Sequence, residues 1–241
     1  MGAESVNSSY SKCKSLNTGS IFKTETIQQI ANHATADYSL IITKETNIKL
    51  GYFALDRFIS FAEDTGAGMV YADYYEMTGN IPKKHPVLDY QQGSLRDDFN
   101  FGPLLFINSL ALKNAVEGLT ETFEFAGIYQ MRLAISKKHS LFHIPEFLYS
   151  QIESDTRASG KKIFDYVDPK NRSVQIEMEK AVTTHLKEIG AFLTPQFKNV
   201  AIHESDFPVE ASVIIPVRNR EKTIADAIDS VMKQKTNFKY N

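Results

Sequence analysis

The segment from Ala211 to Gln234, ASVIIPVRNREKTIADAIDSVMKQ, constrains the fold more than any other part of the chain. Val213-Ile214-Ile215 is an apolar, β-branched run, too short for a helix and closed at once by Pro216. Such a run predicts a buried strand of the kind found inside parallel sheets. Pro216-Val217-Arg218-Asn219-Arg220 predicts a loop, because proline offers a ladder no N–H and asparagine favours turns. From Glu221 the period changes. Ile224, Ala227, Ile228 and Val231 share one helical face, and Lys222, Asp226, Asp229 and Lys233 take the other. Strand, short polar loop and helix form the first unit of a doubly wound α/β domain, whose ligands bind beyond the carboxyl ends of the strands. The loop 216–220 is therefore where this domain is expected to meet a small molecule.

Upstream, the pattern is again α/β. A helix is predicted over Thr24–Ala34, a strand over Tyr38–Ile42, a helix over Leu50–Ala62 stopped by Thr65-Gly66-Ala67-Gly68, and a strand at Met69-Val70-Tyr71. Residues 74–101 are polar and rich in Gly and Pro, and predict one long loop, a length more often functional or disordered than filler. Leu104–Ile107 is strand-like, Ser109–Val116 and Ala126–Ser136 helical, and short extended pieces flank Pro145. The charged stretch Ser154–Arg172 predicts a linker or arm. Val174, Met178, Val182, Leu186 and Ile189 mark a helix that Gly190 ends, with connector beyond it to Glu210.

Composition excludes several classes of function. With 42% hydrophobic and 23% charged residues and a net charge of −2, the 241-residue chain has no basic excess to attract nucleic acid or an anionic membrane. No apolar run approaches the roughly 20 residues of a spanning helix, residues 1–20 do not read as a signal peptide, and the expected location is cytoplasmic. The single cysteine, Cys13, excludes an intrachain disulfide framework. Gly160-Lys161 lacks the other residues of a P-loop. Asn7-Ser8-Ser9 and Asn171-Arg172-Ser173 fit the glycosylation sequon, which carries no weight in a cytoplasmic chain. His139 and His143 are four apart in an extended segment, too far for one metal.

Ser212-Val213-Ile214-Ile215-Pro216-Val217-Arg218-Asn219, followed by a helix ending Ser230-Val231-Met232-Lys233-Gln234, resembles the opening of family 2 glycosyltransferases of the GT-A fold. Arg218 stands where that family usually has an aromatic residue. Residues 24–149 resemble the latter part of a GT-A domain, closing on Ile144-Pro145-Glu146-Phe147-Leu148-Tyr149. The fold class so implied is α/β: an incomplete, Rossmann-like GT-A domain over 1–150, a charged linker with an amphipathic helix over 151–209, and the start of a second GT-A domain over 210–241. The chain is expected to be a piece of a longer, bacterial-type enzyme. The resemblance implies transfer of a sugar from a nucleotide-diphosphate sugar to a glycan or lipid-linked acceptor, with Mg or Mn serving the complete enzyme. Pro216, Arg218, Asn219 and Glu221 would hold the donor nucleotide.

The resemblance also exposes departures. Where the family places its metal-binding Asp-x-Asp turn, this chain has Lys44-Glu45 within Thr43–Thr46. Where the family places its catalytic acidic pair, this chain has Phe125-Ala126, with Arg132 retained downstream. Asp73, Asp97 and Asp98 are carboxylates that could substitute, and Arg96 and Arg132 could join them in touching a sugar or acceptor. Nothing in the spacing selects among them. The catalytic residues therefore stay unassigned, no metal ligand is named, and the piece by itself is expected to be inactive. Two expectations stand side by side: a degenerate domain kept as a scaffold or binding module, and a site where Lys44 replaces the metal as a point charge beside a diphosphate. The aromatics of 71–76 fit either a core or a sugar platform.

Overall fold

The computed structural model describes residues 16–79, 81–152, 172–199 and 208–241. It divides into two compact units, Met1–Leu193 and Thr194–Asn241. The elements of the first are α1 (Thr24–His33), β1 (Tyr38–Ile42), β2 (Ile48–Leu50), α2 (Ala54–Thr65), β3 (Met69–Thr78), β4 (Ile81–His85), β5 (Leu104–Asn108), α3 (Ser109–Glu117), α4 (Gly127–Ser136), β6 (Leu141–Ile152) and α5 (Arg172–Glu188). Cys13 and the arm expected at 154–171 lie outside the described residues.

Six strands form one sheet, in the order β1-β5-β3-β6-β2, with β4 added to β3. The α/β class holds, but the sheet is mixed: β3–β6 is parallel and the other pairs are antiparallel. The period-two alternation of side chains builds two cores from this sheet. In β5, Leu104 and Phe106 join Phe58 and Ala62 of α2 on one face. Leu105 and Ile107 join Ile27 of α1, Leu112 of α3, and Met131 and Ile135 of α4 on the other. Phe58, Leu112 and Met131 are fully buried, each removal from water contributing about 2 kcal/mol. Helices therefore cover both faces, as the alternating pattern predicts.

Three expectations for the sheet and its connections are corrected. The helix expected from Leu50 starts at Ala54, because Ile48–Leu50 pair with Tyr149–Gln151 as a strand; Phe53, at φ +55°, makes the turn into α2. Its stop is as predicted, with Gly66 left-handed at φ +64°. The long loop expected over 74–101 begins instead as a hairpin: β3 runs on to Thr78 and pairs with β4, Tyr74 facing His85 and Glu76 facing Lys83. Pro82 is tolerated there because β4 is an exposed edge. Finally, the pieces flanking Pro145 are one strand. The register passes from Ala72–Ile144 to Asp73–Phe147, which leaves Pro145 and Glu146 in a bulge where a missing N–H interrupts no regular pairing.

Helix α5, expected within a linker, belongs to the first unit and docks on α4 through Ala181, Met178 and Val182. Glu177 accepts the N–H groups of Phe125 and Ala126 at 2.7 and 3.3 Å, supplying the negative charge that the uncapped start of α4 favours. Eleven residues on, Glu188 pairs with Lys137 at 2.7 Å beside the end of α4. The two helices run parallel, clasped at both ends.

In the second unit, α6 (Ile224–Met232) forms as predicted, but none of its residues is buried. The expected buried strand over Val213–Ile215 is not formed. This segment is largely exposed, and its pairing is limited to a parallel bridge between Ala211 and Tyr240, with Val213 N–H donating to Asn241 at 2.7 Å. A strand is buried by neighbours on both edges and both faces, and within this unit the segment has one edge neighbour. The order extended segment, helix, parallel extended segment is nevertheless that of a βαβ crossover.

Candidate functional site

A cleft of about 680 Å³ in the first unit opens where the β3–β4 hairpin meets the turn after β1 and the loop before β5. Its wall on the hairpin is one pleated face: Tyr74 and Glu76 of β3, opposite His85 and Lys83 of β4. Its other wall brings Thr43 and Lys44 together with Asp97, Asp98 and Phe101. The two parts of this second wall are joined by a backbone hydrogen bond. Thr43 N–H donates to Pro103 O at 2.9 Å, one residue past Gly102, which ties the Lys44 turn to the end of the 97–102 loop.

Gly102 is required at its place twice over. Its φ is +76°, and a Cβ there would overlap the Tyr149 hydroxyl and crowd the ring of Tyr74. Below it, His85, Tyr74 and Tyr149 form a ladder of rings, with centroids 4.5 and 5.3 Å apart. Burial pushes Tyr74 up to about 12, so its phenol keeps its proton at physiological pH. The Tyr149 hydroxyl and Gln151 Oε1 are buried without a hydrogen-bond partner among the described residues.

Hydrogen bonds set the polar groups of the cleft in order. Gly102 N–H donates to Asn100 Oδ1 at 2.9 Å, which turns the Asn100 NH₂ toward Nε2 of His85 at 3.1 Å. Nδ1 of His85 faces Glu76 Oε1 at 3.2 Å. Arg96 binds both oxygens of Asp98 at 2.9 Å and holds its carboxyl below the usual carboxylate range. Lys44 and Lys83 are exposed and make no ion pair among the described residues.

The sequence candidates separate. Lys44, Asp97 and Asp98 share the cleft, and Arg96 reaches it through Asp98. Asp73 does not line it. That residue is 5% exposed and accepts from Val87 N–H and faces His143, both at 2.8 Å. Arg132 is 3% exposed, over the rings of Tyr129, Phe101 and Tyr90, with its guanidinium donating to the carbonyls of Ser94 and Arg96. Burial lowers its pKa. It pins the loop from beneath, and its donors are directed at the loop backbone. Tyr71 is core, its hydroxyl held between Leu88 O and Tyr90 N–H. In the second unit Pro216, Arg218, Asn219 and Glu221 lie exposed around one turn, with Asn219 left-handed at φ +54°.

A divalent metal does not fit the motif position. Lys44-Glu45 offers one ammonium and one carboxylate, and no three His, Cys, Asp or Glu side chains converge anywhere among the described residues. His143, with its ring nitrogens 2.8 and 2.7 Å from Asp73 and Asp89, keeps those two carboxylates on opposite sides of its ring. The residues missed by sequence reasoning are Glu76, Lys83, His85 and Asn100. The alternation of Tyr74, Glu76 and Thr78, followed by Gly79, was the available signal.

No protein-family model matches the chain, and a search of curated proteins finds no significant match.

Proposed function

We propose that the chain is part of a glycosyltransferase of the family 2, GT-A type, and that the cleft of its first unit takes a nucleotide-diphosphate sugar. The observation that carries this is convergence: the motif position Thr43-Lys44 and the acidic pair Asp97-Asp98, more than fifty residues apart in sequence, line one cleft. Rings suited to a sugar face lie there together with two ammonium groups that make no ion pair among the described residues and suit phosphates. Lys44 and Lys83 would offset the charge of the departing diphosphate, and Asp97 would bind sugar hydroxyls. Pro216, Arg218, Asn219 and Glu221 would contact the nucleotide base of a second donor site. The acceptor is a glycan or a lipid-linked sugar, and the working compartment is the cytoplasm.

Calorimetric titration of the full chain with UDP-glucose and GDP-mannose, with and without Mn²⁺, tests this. One of them is expected to bind without metal, and Lys44→Ala to weaken it about tenfold, the loss of one exposed charge contact of about 1.4 kcal/mol. Unchanged affinity in Lys44→Ala would end the role assigned to that lysine.

A second reading is favoured by the replacement of Asp-x-Asp with Lys44-Glu45: a catalytically inactive GT-A-like scaffold that binds a glycan. Binding to an oligosaccharide array, with no response to either nucleotide sugar, would select it.

A further inference from the structure

Transfer to a hydroxyl needs a group that removes its proton, and the family's acidic pair is replaced by Phe125-Ala126. The cleft holds few alternatives. Tyr74 keeps its proton, Asp98 is occupied on both oxygens by Arg96, and Asp73 lies outside the cleft beneath Val87. Lys44 and Lys83 are cations. Glu76 also lines the cleft, but its Oε1 is held by the ring of His85 at 3.2 Å, which leaves Asp97 and His85.

The orientation of His85 decides between them. Asn100 Oδ1 is fixed by Gly102 N–H, so the group facing His85 Nε2 is the Asn100 NH₂, a donor. Nε2 must then accept, and the ring carries its hydrogen on Nδ1, where it donates to Glu76 Oε1. A carboxylate behind the imidazole sets the tautomer and stabilises the cation that forms when the front nitrogen takes a proton, the division of labour seen wherever such pairs serve as bases. His85 is stacked on Tyr74 at 4.5 Å, which fixes the ring plane. Its side chain is 32% exposed and that of Glu76 20% exposed, as a base at a cleft wall requires. Among the described residues Asp97 has no such orienting partner.

From this geometry we infer that His85, oriented by Glu76, is the general base of the cleft and acts on an acceptor hydroxyl that displaces the Asn100 NH₂ from Nε2. The inference rests on the glycosyl-transfer reading. In the step, the hydroxyl proton passes to Nε2 and the acceptor oxygen bonds to the anomeric carbon of the nucleotide-diphosphate sugar. The anomeric carbon–oxygen bond breaks, and the diphosphate leaves with the electron pair. The imidazolium keeps its Nδ1–H on Glu76 and returns the extra proton to solvent.

Two measurements on the full chain test it. A ¹H–¹⁵N multiple-bond NMR spectrum above neutral pH, assigned by the loss of signals in His85→Gln, is expected to show the hydrogen of His85 on Nδ1. Glu76→Gln should disturb that tautomer. A ring with its hydrogen on Nε2 overturns the assignment whatever the substrate. Release of nucleoside diphosphate from UDP-glucose or GDP-mannose is the second readout. A base in the cleft implies turnover by this chain, against the inactivity expected from the lost acidic motifs, and a wild type that binds a donor without releasing nucleoside diphosphate overturns the assignment. His85→Gln is expected to lower kcat roughly 100-fold, the lower range for a lost general base, with KM held within about twofold. Turnover that survives His85→Gln overturns the assignment. If neither nucleotide sugar binds the wild-type chain while the NMR shows the Nδ1–H form, the transfer reading fails and the assignment falls with it. Thermal unfolding of both variants checks that these edge positions leave the fold intact.

Discussion

The Asp73 carboxylate lies 2.8 Å from Nε2 of His143, joining two parallel strands across 70 residues of sequence. The same oxygen accepts Val87 N–H at 2.8 Å, so one buried atom ties β3 to β6 and to the loop after β4. Asp73→Ala leaves a buried ring nitrogen and a buried N–H without partners, an expected loss of about 3 kcal/mol. Asp89 meets the other ring nitrogen, but its side chain is 85% exposed. Asp89→Ala is expected to cost less than about 1 kcal/mol. Urea unfolding of the two variants measures the contrast, and equal losses would contradict it.

Gly102→Ala meets two penalties, a left-handed backbone and an overlap with the Tyr149 hydroxyl. A loss of about 2–3 kcal/mol is expected. The Tyr149 hydroxyl has no partner among the described residues, so Tyr149→Phe is expected to be neutral, or stabilising by up to about 1 kcal/mol. In the double variant the overlap disappears while the backbone strain stays. A thermodynamic cycle should therefore show positive coupling, and strictly additive effects would remove the overlap from the account.

Arg132→Met keeps much of the bulk against Tyr90, Phe101 and Tyr129 but releases the carbonyls of Ser94 and Arg96. Those carbonyls belong to a surface loop and can turn to water, so the loss is local. Hydrogen exchange over 94–101 is expected to quicken about tenfold, or about 1.4 kcal/mol of opening free energy, with the sheet unaffected. A uniform increase across β3 and β6 would count against this.

His185 of α5 is 7% exposed, and its Nδ1 has no partner among the described residues. Burial lowers its pKa, Lys137 and Arg132 add to the shift, and Glu188 opposes it. In the unfolded chain a histidine titrates near about 6.5. Above that value neither state binds the proton and the contribution of His185 to stability is complete. As pH falls below it the unfolded chain takes the proton first, so stability declines toward the lower folded pKa. Denaturation of the wild type and of His185→Leu across this window is expected to show the decline in the wild type and a shallower one in the variant. Parallel curves would refute the assignment.

Elements whose signal is local were legible in the sequence. Tyr38–Ile42 forms the strand its apolar run predicts, and Gly66 stops α2 as its place implies. Helix α5 appears on the face spelled by Met178 and Val182. The misreadings share a different cause. Leu50 looks like the start of a helix until β6 offers Ile48–Leu50 an edge, and β4 looks like loop because its Pro82, Lys83 and Lys84 are set by an exposed edge. Val213–Ile215 has strand composition, but composition does not supply neighbours. The site divides the same way. Lys44, Asp97 and Asp98 could be named from motif position and loop chemistry, whereas Glu76 and His85 become a pair only when the hairpin puts them on one face. Arg132 stood out as a retained charge, yet only packing shows that it faces the loop from below.

Strand β3 does two jobs along its length. From Met69 to Tyr74 every residue is buried, and from Tyr75 onward the strand emerges into the hairpin with β4. Glu76, Lys83 and His85 therefore sit where substitution is expected to cost little stability, while the frame that aims them is held by residues a few positions earlier. Such a separation lets new chemistry be tried at the cleft with little risk to folding, and it marks the hairpin as the first place to diversify in a library seeking altered binding at the cleft.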